Sequence, residues 1–410
     1  MILYSKKICP WCFEKFNAAD VNFRCDKCRT TDDPELHRFW GEMRPVGPTV
    51  DPTKMRDSNP VLNFNNGVKM FGTRVVAWEK AVCPQCHQKA HQMICPSCHN
   101  RVPNNMVKKK SFIISIVGAR SSGKTIYITT LIDELKRRGV YLDKMGISAV
   151  NIADDPSRYT TARYDAMYKS LYEKKQTPAQ TAINDKQSKV PLIYELSGSK
   201  KSVFLVFYDT AGENFNDINR ITDNVKFLKA SDAVIFLLDT FQVPYVHNVL
   251  GLRDNPGDLR YDAIFDNILS FFKEGDPSER KSYFKKPMAF VFSKIDAILN
   301  NEAKFESTSI ANMSMRKNSY FLSGDGVLLS EFDSISSSIM GALNAWGETN
   351  FVNNITNNYK NPKFFGISSL GEAPVGINVS KVSPYRVLDP LVWILNELKY
   401  PLPIKEVGGK

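Results

Sequence analysis

The stretch Gly118-Ala-Arg-Ser-Ser-Gly-Lys124-Thr125 carries two glycines, a lysine and a hydroxyl residue at the spacing of a phosphate cradle. Gly118 and Gly123 allow backbone geometry that a Cβ would obstruct. The N–H groups of Ser121, Ser122 and Gly123, and on to Ile126, can then wrap phosphate oxygens at a helix N-terminus. Lys124 is placed to contact the β- and γ-phosphates, and the Thr125 hydroxyl to ligate Mg²⁺. An apolar run precedes this loop, and a helical stretch, Thr125–Arg138, follows it.

Three more stretches add to the cradle. Val203-Phe-Leu-Val-Phe-Tyr-Asp209-Thr-Ala-Gly212-Glu213 ends an apolar run in an acid, which packing explains poorly. Asp209 can hold Mg²⁺ through water, and the Gly212 N–H can meet the γ-phosphate. Ser293-Lys294-Ile295-Asp296 follows another apolar run. The Asp296 carboxylate can accept two hydrogen bonds from the N1–H and N2–H₂ edge of guanine. Adenine lacks that donor pair, so Asp296 selects GTP and GDP over ATP. The Lys294 stem can cover the face of the base, with Ser293 in support. Main-chain N–H groups in Ser368-Ser369-Leu370 can reach guanine O6. A threonine between the first helix and the next apolar run should bind Mg²⁺ and the γ-phosphate. In Gln176-Thr-Pro-Ala-Gln-Thr181 the choice is Thr181, with Thr177 the other candidate. Lys124, Thr181, Asp209, Gly212 and Glu213 form the catalytic set on this reading. Arg120, inside the loop, either stabilises transition-state charge in cis or points to solvent.

All eight cysteines lie before residue 100, as four Cys-x-x-Cys pairs. The N-terminus lacks the apolar core of a secretion signal, so paired cysteines point to metal rather than disulfides and the expected compartment is the cytoplasm. Cys9 and Cys12 pair naturally with Cys25 and Cys28, and Cys83 and Cys86 with Cys95 and Cys98. Each set offers four thiolates suited to a tetrahedral, structural Zn²⁺, two ions in all. An interleaved partition is the alternative, the first and last pairs sharing a metal. Redox chemistry is disfavoured, since no thioredoxin-like βαβ surrounds the cysteines. His87, His91 and His99 are neighbours rather than ligands. Trp11, Phe13, Phe16 and Phe23 could stack bases, or form the small core of a zinc module.

The elements that must position these groups fall into blocks. A chain of 410 residues fits two or three domains. Residues 1–110 form a zinc-binding region with 18 Lys and Arg against 10 Asp and Glu. Two Cys₄ sites would bring its excess to about +4, compatible with a solvated surface or with nucleic acid. Residues 111–400 alternate apolar and helical stretches. Strands are expected at Phe112–Val117, Val190–Leu196, Val203–Tyr208, Ala233–Leu238, Met288–Phe292 and Phe364–Ile367, with an amphipathic closing helix at Pro390–Leu398. Such runs predict an α/β fold with a doubly wound, mostly parallel sheet. No run of 18 apolar residues suggests a membrane span.

In this order GARSSGKT, DTAGE, SKID and SSL resemble the Ras-like, translation-factor-related class of P-loop GTPases. Zinc ribbons ahead of such a domain are similar to the bacterial double-GTPase family, which is associated with multi-gene conflict or defence cassettes. The resemblance implies a slow GTPase that works as a switch, with GTP/GDP, Mg²⁺ and Zn²⁺ as cofactors. Its implied partners are other proteins, among them a second GTPase or an activating protein. The competing reading is a nucleotide-gated zinc-ribbon module for nucleic acid or protein with negligible turnover. Three departures stand out. Ser293 replaces the usual Asn or Thr, Glu213 stands where many relatives place Gln, and the span from Asp296 to Ser368 leaves room for an insertion at about 297–362.

Overall fold

The computed structural model describes residues 6–28, 31–41, 45–46, 48–50, 69–70, 73–74, 80–119, 121–152, 159–178, 190–198, 201–209, 226–252, 260–274, 277–278, 281, 284–305, 318–323 and 326–405. The chain divides into two compact units. One is Met1–Ser111 with the short pieces Ala153–Arg158 and Lys189–Pro191; the other is Phe112–Ile152, Tyr159–Ser188 and Leu192–Lys410.

The larger unit is built on a seven-stranded sheet. In chain order the strands are β1 (Lys110–Gly118), β2 (Ala149–Ile152), β3 (Leu192–Ser197), β4 (Ser202–Asp209), β5 (Ala233–Asp239), β6 (Met288–Ser293) and β7 (Pro362–Gly366). In space they run β2-β3-β4-β1-β5-β6-β7. The strands β1, β5, β6 and β7 are mutually parallel, while β2 and β3 pair antiparallel, as do β3 and β4. The chain lays β2 to β4 on one side of β1 and then crosses to the other side for β5 to β7. The carboxyl end of β1 is therefore the point where strand order reverses, the place where open α/β sheets bind ligands.

Burial explains the apolar runs. Every residue of β5 and β6 is buried, as in strands covered on both faces. Alternate residues of β6 serve the two faces. Ala289 and Val291 join a core with Ile128, Leu131 and Trp393. Phe290 packs instead against Phe265, Phe351 and Phe364. The helices supplying these layers include α1 (Lys124–Arg137), α2 (Tyr159–Tyr168), α3 (Tyr261–Glu274), α4 (Leu329–Ala345), α5 (Thr349–Asn358) and α6 (Asp389–Glu397). The last was expected to be amphipathic, yet Asp389 through Leu395 are all buried. It is a core helix rather than a surface one. The stretch between α1 and β3, where no regular element was expected, contains β2 and α2, with a π-helical turn at Lys169–Glu173. Among the described residues no helix is long and apolar enough to cross a membrane.

The smaller unit is organised by short hairpins. Lys6–Ile8 pairs with Lys15–Asn17, and Ala81–Val82 with Lys89–Ala90. Asn22–Arg24 is the centre of a three-stranded sheet, flanked by Gln92–Ile94 and Thr49–Val50. The helix Pro34–Trp40 starts on Asp33, whose carboxylate accepts from the N–H groups of Glu35 and Leu36. Burial alone would raise the Asp33 pKa, but hydrogen bonds from Arg24 and Leu36 hold it at about 2.

Candidate functional site

The phosphate loop leaves β1 at Gly118 and enters α1 at Lys124. A Cβ on Gly118 would lie 2.1 Å from the carbonyl oxygen of Leu237 on the neighbouring strand β5, so only glycine fits. Gly123 is left-handed at φ +86° and caps α1 without any side-chain acceptor. Ser121 is left-handed as well, at φ +60°. A glycine N-cap supplies no side-chain acceptor to the first turn of α1, the arrangement that suits an anion. The Lys124 ammonium donates to the carbonyls of Gly118 at 2.8 Å and Ala119 at 2.7 Å, folded back over the loop. Among the described residues the buried Ser122 hydroxyl has no hydrogen-bond partner, a polar atom that a ligand could satisfy. Thr125 occupies the first turn of α1, and Ile126 packs on a small apolar cluster of Leu171, Leu370 and Val379. These residues fit a phosphate group and a hard cation.

Asp209 ends β4, the hydrogen-bonded neighbour of β1. Arg120, Thr181, Gly212 and Glu213 lie outside the described residues. Thr177 is described, and its N–H donates to the carbonyl of Ile377 at 2.8 Å. That bond engages the N–H group that a γ-phosphate would need.

The residues expected to meet a base sit at the carboxyl ends of β6 and β7. Ser293 is buried, its hydroxyl donating to the carbonyl of Leu238 at 3.0 Å, and its own carbonyl accepts from the Thr240 hydroxyl. Serine therefore supplies a tie between β5 and β6 at this position. Lys294 is left-handed at φ +59°, and its ammonium lies 2.6 Å from Asp239 Oδ2 and 4.8 Å from the centre of the Phe241 ring. Asp296 opens a short helix, Asp296–Leu299. The Ile295 N–H donates to the carbonyl of Ile367 at 3.0 Å, which fixes the Asp296 loop beside the loop after β7. There the expectation of three free amides needs correction. The Ser368 N–H donates to the carbonyl of Tyr385 at 3.0 Å, and the Ser368 hydroxyl accepts from Gly371 N–H at 2.8 Å. Ser368 thus shapes the turn with both its amide and its hydroxyl. Asp239 was absent from the sequence reading; a single acid ending an apolar strand was its only signal.

The cysteines fall into two tetrads, Cys9-Cys12-Cys95-Cys98 and Cys25-Cys28-Cys83-Cys86, each with its sulfurs within 4.8 Å of one another. This overturns the sequential pairing and matches the interleaved one. The cause is register. Asn22–Arg24 pairs antiparallel with Gln92–Ile94, Arg24 opposite Gln92 and Asn22 opposite Ile94. Cys25 and Cys95, each one residue past its strand, thus leave at opposite ends. Sulfur separations of 3.7 Å for Cys9 and Cys98 and 3.8 Å for Cys12 and Cys95 match ligands about 2.3 Å from one tetrahedral ion. The second tetrad gives 3.5 Å for Cys25 and Cys86 and 4.0 Å for Cys28 and Cys83. The residue after each second cysteine is left-handed at Phe13, His87 and His99, and its N–H donates to the carbonyl of the first cysteine. The Trp11 and Ser97 amides also point at the sulfurs of Cys9 and Cys95, as thiolates favour. Trp11, Phe16 and Phe23 are buried, so they form core rather than a stacking platform. His87 and His91 are exposed, and His99 bonds Asp33 at 2.9 Å.

Residues 112–250 match the family model described as Double-GTPase 2. The phosphate-loop domain is of the P-loop GTPase class. The chain is 24% identical over 337 residues to a Mycolicibacterium smegmatis (strain ATCC 700084 / mc(2)155) protein, SaeC, whose name assigns it to ESX-1 scaffolding and assembly; the alignment covers 76% of this chain and 78% of that one. Among solved structures it is similar to the Saccharomyces cerevisiae Ski7 GTPase-like domain bound to GTP, at 11% identity and a TM-score of 0.32 over 71% of this chain. It spans about half, 51%, of that structure. A Trypanosoma brucei Arl6 small GTPase with a bound nucleotide analogue matches at 12% identity and a TM-score of 0.26, covering 70% of this chain and 97% of that one. Both scores are low; sheet order and phosphate-loop geometry establish the fold.

Proposed function

We propose that this protein is a guanine-nucleotide switch that hydrolyses GTP slowly and regulates a bacterial multi-protein assembly through protein contacts. The observation that carries the guanine reading is the 3.0 Å bond between Ile295 N–H and Ile367 O. It ties the loop of Asp296 to the loop of Ser369 and Leu370, which supports an acid for N1–H and N2–H₂ and two amides for O6 acting on one base. Adenine satisfies neither group, and each mismatch leaves a desolvated polar partner.

Lys124 and the amides after Gly118 would hold the β- and γ-phosphates. Thr125, Asp209 and Thr181 would hold Mg²⁺, whose chemistry is to neutralise charge developing on the phosphate oxygens. Gly212 would donate to the γ-phosphate and Glu213 would orient water. Two Zn²⁺ ions held by the tetrads would be structural, since four sulfurs leave no open coordination position. Protein partners are favoured by the similarity to a scaffolding and assembly protein.

The test is to denature the purified protein and identify what it releases, then compete bound fluorescent GDP with GTP and with ATP. Co-purified guanine nucleotide and at least a hundredfold preference for GTP are expected. Displacement by ATP as readily as by GTP overturns the guanine assignment. A second reading, a nucleotide-gated binding module with negligible turnover, is kept by Glu213 in the water-orienting position. Single-turnover hydrolysis separates the two.

A further inference from the structure

The chain between β7 and α6 makes an excursion that returns on itself. At its root the Tyr385 N–H donates to the carbonyl of Ser368 at 2.7 Å, answering the bond from Ser368 to Tyr385, and the Ser383 N–H donates to the carbonyl of Leu370 at 2.7 Å. Gly371 makes the root possible: it is left-handed at φ +89°, and a Cβ there would lie 2.6 Å from the Ser383 carbonyl oxygen. At the tip Val375 and Asn378 exchange both main-chain hydrogen bonds, at 2.9 and 3.0 Å.

The root is pinned from below. Arg386 follows Tyr385 with its side chain only 1% exposed. It donates to Asp389 at 2.7 Å and to Glu331 on α4 at 2.8 Å. Asp389 also accepts from the Ser319 hydroxyl, and Glu331 from the Tyr320 N–H at 3.0 Å. A buried network of this kind favours one arrangement over its alternatives.

The tip holds a different part of the domain. Thr177 N–H donates to Ile377 O and Val379 N–H to Lys175 O, both at 2.8 Å, and the Lys175 ammonium donates to the Ser380 carbonyl at 3.3 Å. The other side of Lys175–Thr177 is tied to the π-helical turn, where Gln176 N–H donates to Ser170 O at 2.9 Å. Beneath these bonds Leu171, Leu370 and Val379 share an apolar cluster with Ile126 and Tyr172. One cluster therefore joins the base loop (Leu370), the first turn after the phosphate loop (Ile126) and the π-helical turn behind Lys175–Thr177 (Leu171).

We infer that the Ser368–Tyr385 excursion is a bracket that couples guanine binding at Ser369 and Leu370 to the position of Lys175–Thr177, with Val379 and Arg386 as positioning residues. The inference rests on the guanine-nucleotide reading above. Interactions that share one packed element shift together, so ordering the base loop should also order the segment gripped by the tip. That segment leads in sequence toward Thr181.

Hydrogen–deuterium exchange of the full chain, with and without GDP and Mg²⁺, tests it. In the unaltered protein GDP should slow exchange in peptides covering 118–128 and also in those covering 174–177. Val379→Pro removes the N–H that grips Lys175 O. In that variant GDP should still protect 118–128, while protection of 174–177 should fall from about tenfold or more to under twofold. Should Val379→Pro fail to fold, Val379→Ser, which keeps the N–H but spoils the cluster, is read by the same peptides. Equal protection of 174–177 in a folded variant overturns the coupling. So does an unaltered protein in which GDP protects 118–128 alone. If GDP changes neither peptide, the nucleotide reading itself fails and the coupling falls with it.

Discussion

The ammonium of Lys294 lies 2.6 Å from the carboxylate of Asp239, at the adjoining carboxyl ends of β6 and β5. Asp239 is held in turn, since its other oxygen accepts from Phe241 N–H at 3.0 Å. The lysine stem expected to cover a guanine is therefore fixed by an acid one strand away.

Asp239→Asn should weaken GDP binding by about five- to tenfold while leaving the fold intact. Lys294 is 36% exposed, so solvent screens the pair and its coupling is about 1 kcal/mol. Titration calorimetry with GDP checks this. An unchanged affinity would mean that the base does not rely on a fixed Lys294.

Lys124→Ala should reduce nucleotide affinity more than about hundredfold, because it removes a charged donor from the phosphates. Gly118→Ala should do the same by a different route. Its new methyl would meet the Leu237 carbonyl at 2.1 Å, so β1 and β5 must part where the loop begins. The two differ in stability: Gly118→Ala should lower the melting temperature by several degrees and Lys124→Ala should not. Wild-type affinity in Lys124→Ala would sink the site.

How much of this was legible depended on burial. Six of the seven strands announced themselves as apolar runs, because sheets covered on both faces need them. Ala149–Ile152 did not. It is an edge strand of four residues with Asn151 inside it, and only tertiary pairing with β3 makes it a strand. The phosphate loop and the Asp296 loop were readable because their chemistry is local. The Lys294–Asp239 pair and the commitment of Ser368 to Tyr385 were not, since their partners lie 55 and 17 positions away, and the bonds joining Ile377 to Thr177 and Val379 to Lys175 span 200 and 204 positions. Cysteine spacing identified the ligands but misassigned their partition. Proximity in sequence suggested neighbours, and one antiparallel register decided otherwise.

Hydrolysis by the isolated protein should be slow, on the order of 10⁻⁴ s⁻¹, as for unaided Ras-like enzymes. The reason lies in the sequence: Glu213 puts a negative charge where a neutral water-orienting side chain is usual. A supplied arginine should add about 10³-fold or more. Arg120 is the internal candidate, and Arg120→Ala is expected to leave the slow rate unchanged. A fast intrinsic rate that Arg120→Ala cuts a hundredfold would make Arg120 the finger and remove the need for a partner.

The cysteine partition makes its own prediction. The protein prepared with zinc should hold two ions per chain, one for each tetrad. Cys9→Ser with Cys12→Ser removes two ligands from one tetrad and none from the other. One ion should be lost and one retained. The thiols then exposed to an alkylating reagent should be Cys95 and Cys98, which share that tetrad across more than 80 residues of chain. Cys25, Cys28, Cys83 and Cys86 should stay protected under their own zinc, because metal-bound thiolates react slowly. A sequential arrangement gives the opposite footprint, with Cys25 and Cys28 labelled and Cys95 and Cys98 protected. Peptide mass mapping reads the two patterns apart. The metal should also hold the unit together, since its hairpin strands are only two or three residues long and bury too little to stand alone. Chelation should therefore unfold residues 6–100 and leave the melting of the seven-stranded unit within a few degrees of its original value. A single cooperative loss of both units on chelation would show that the tetrads stabilise more than the segment that contains them.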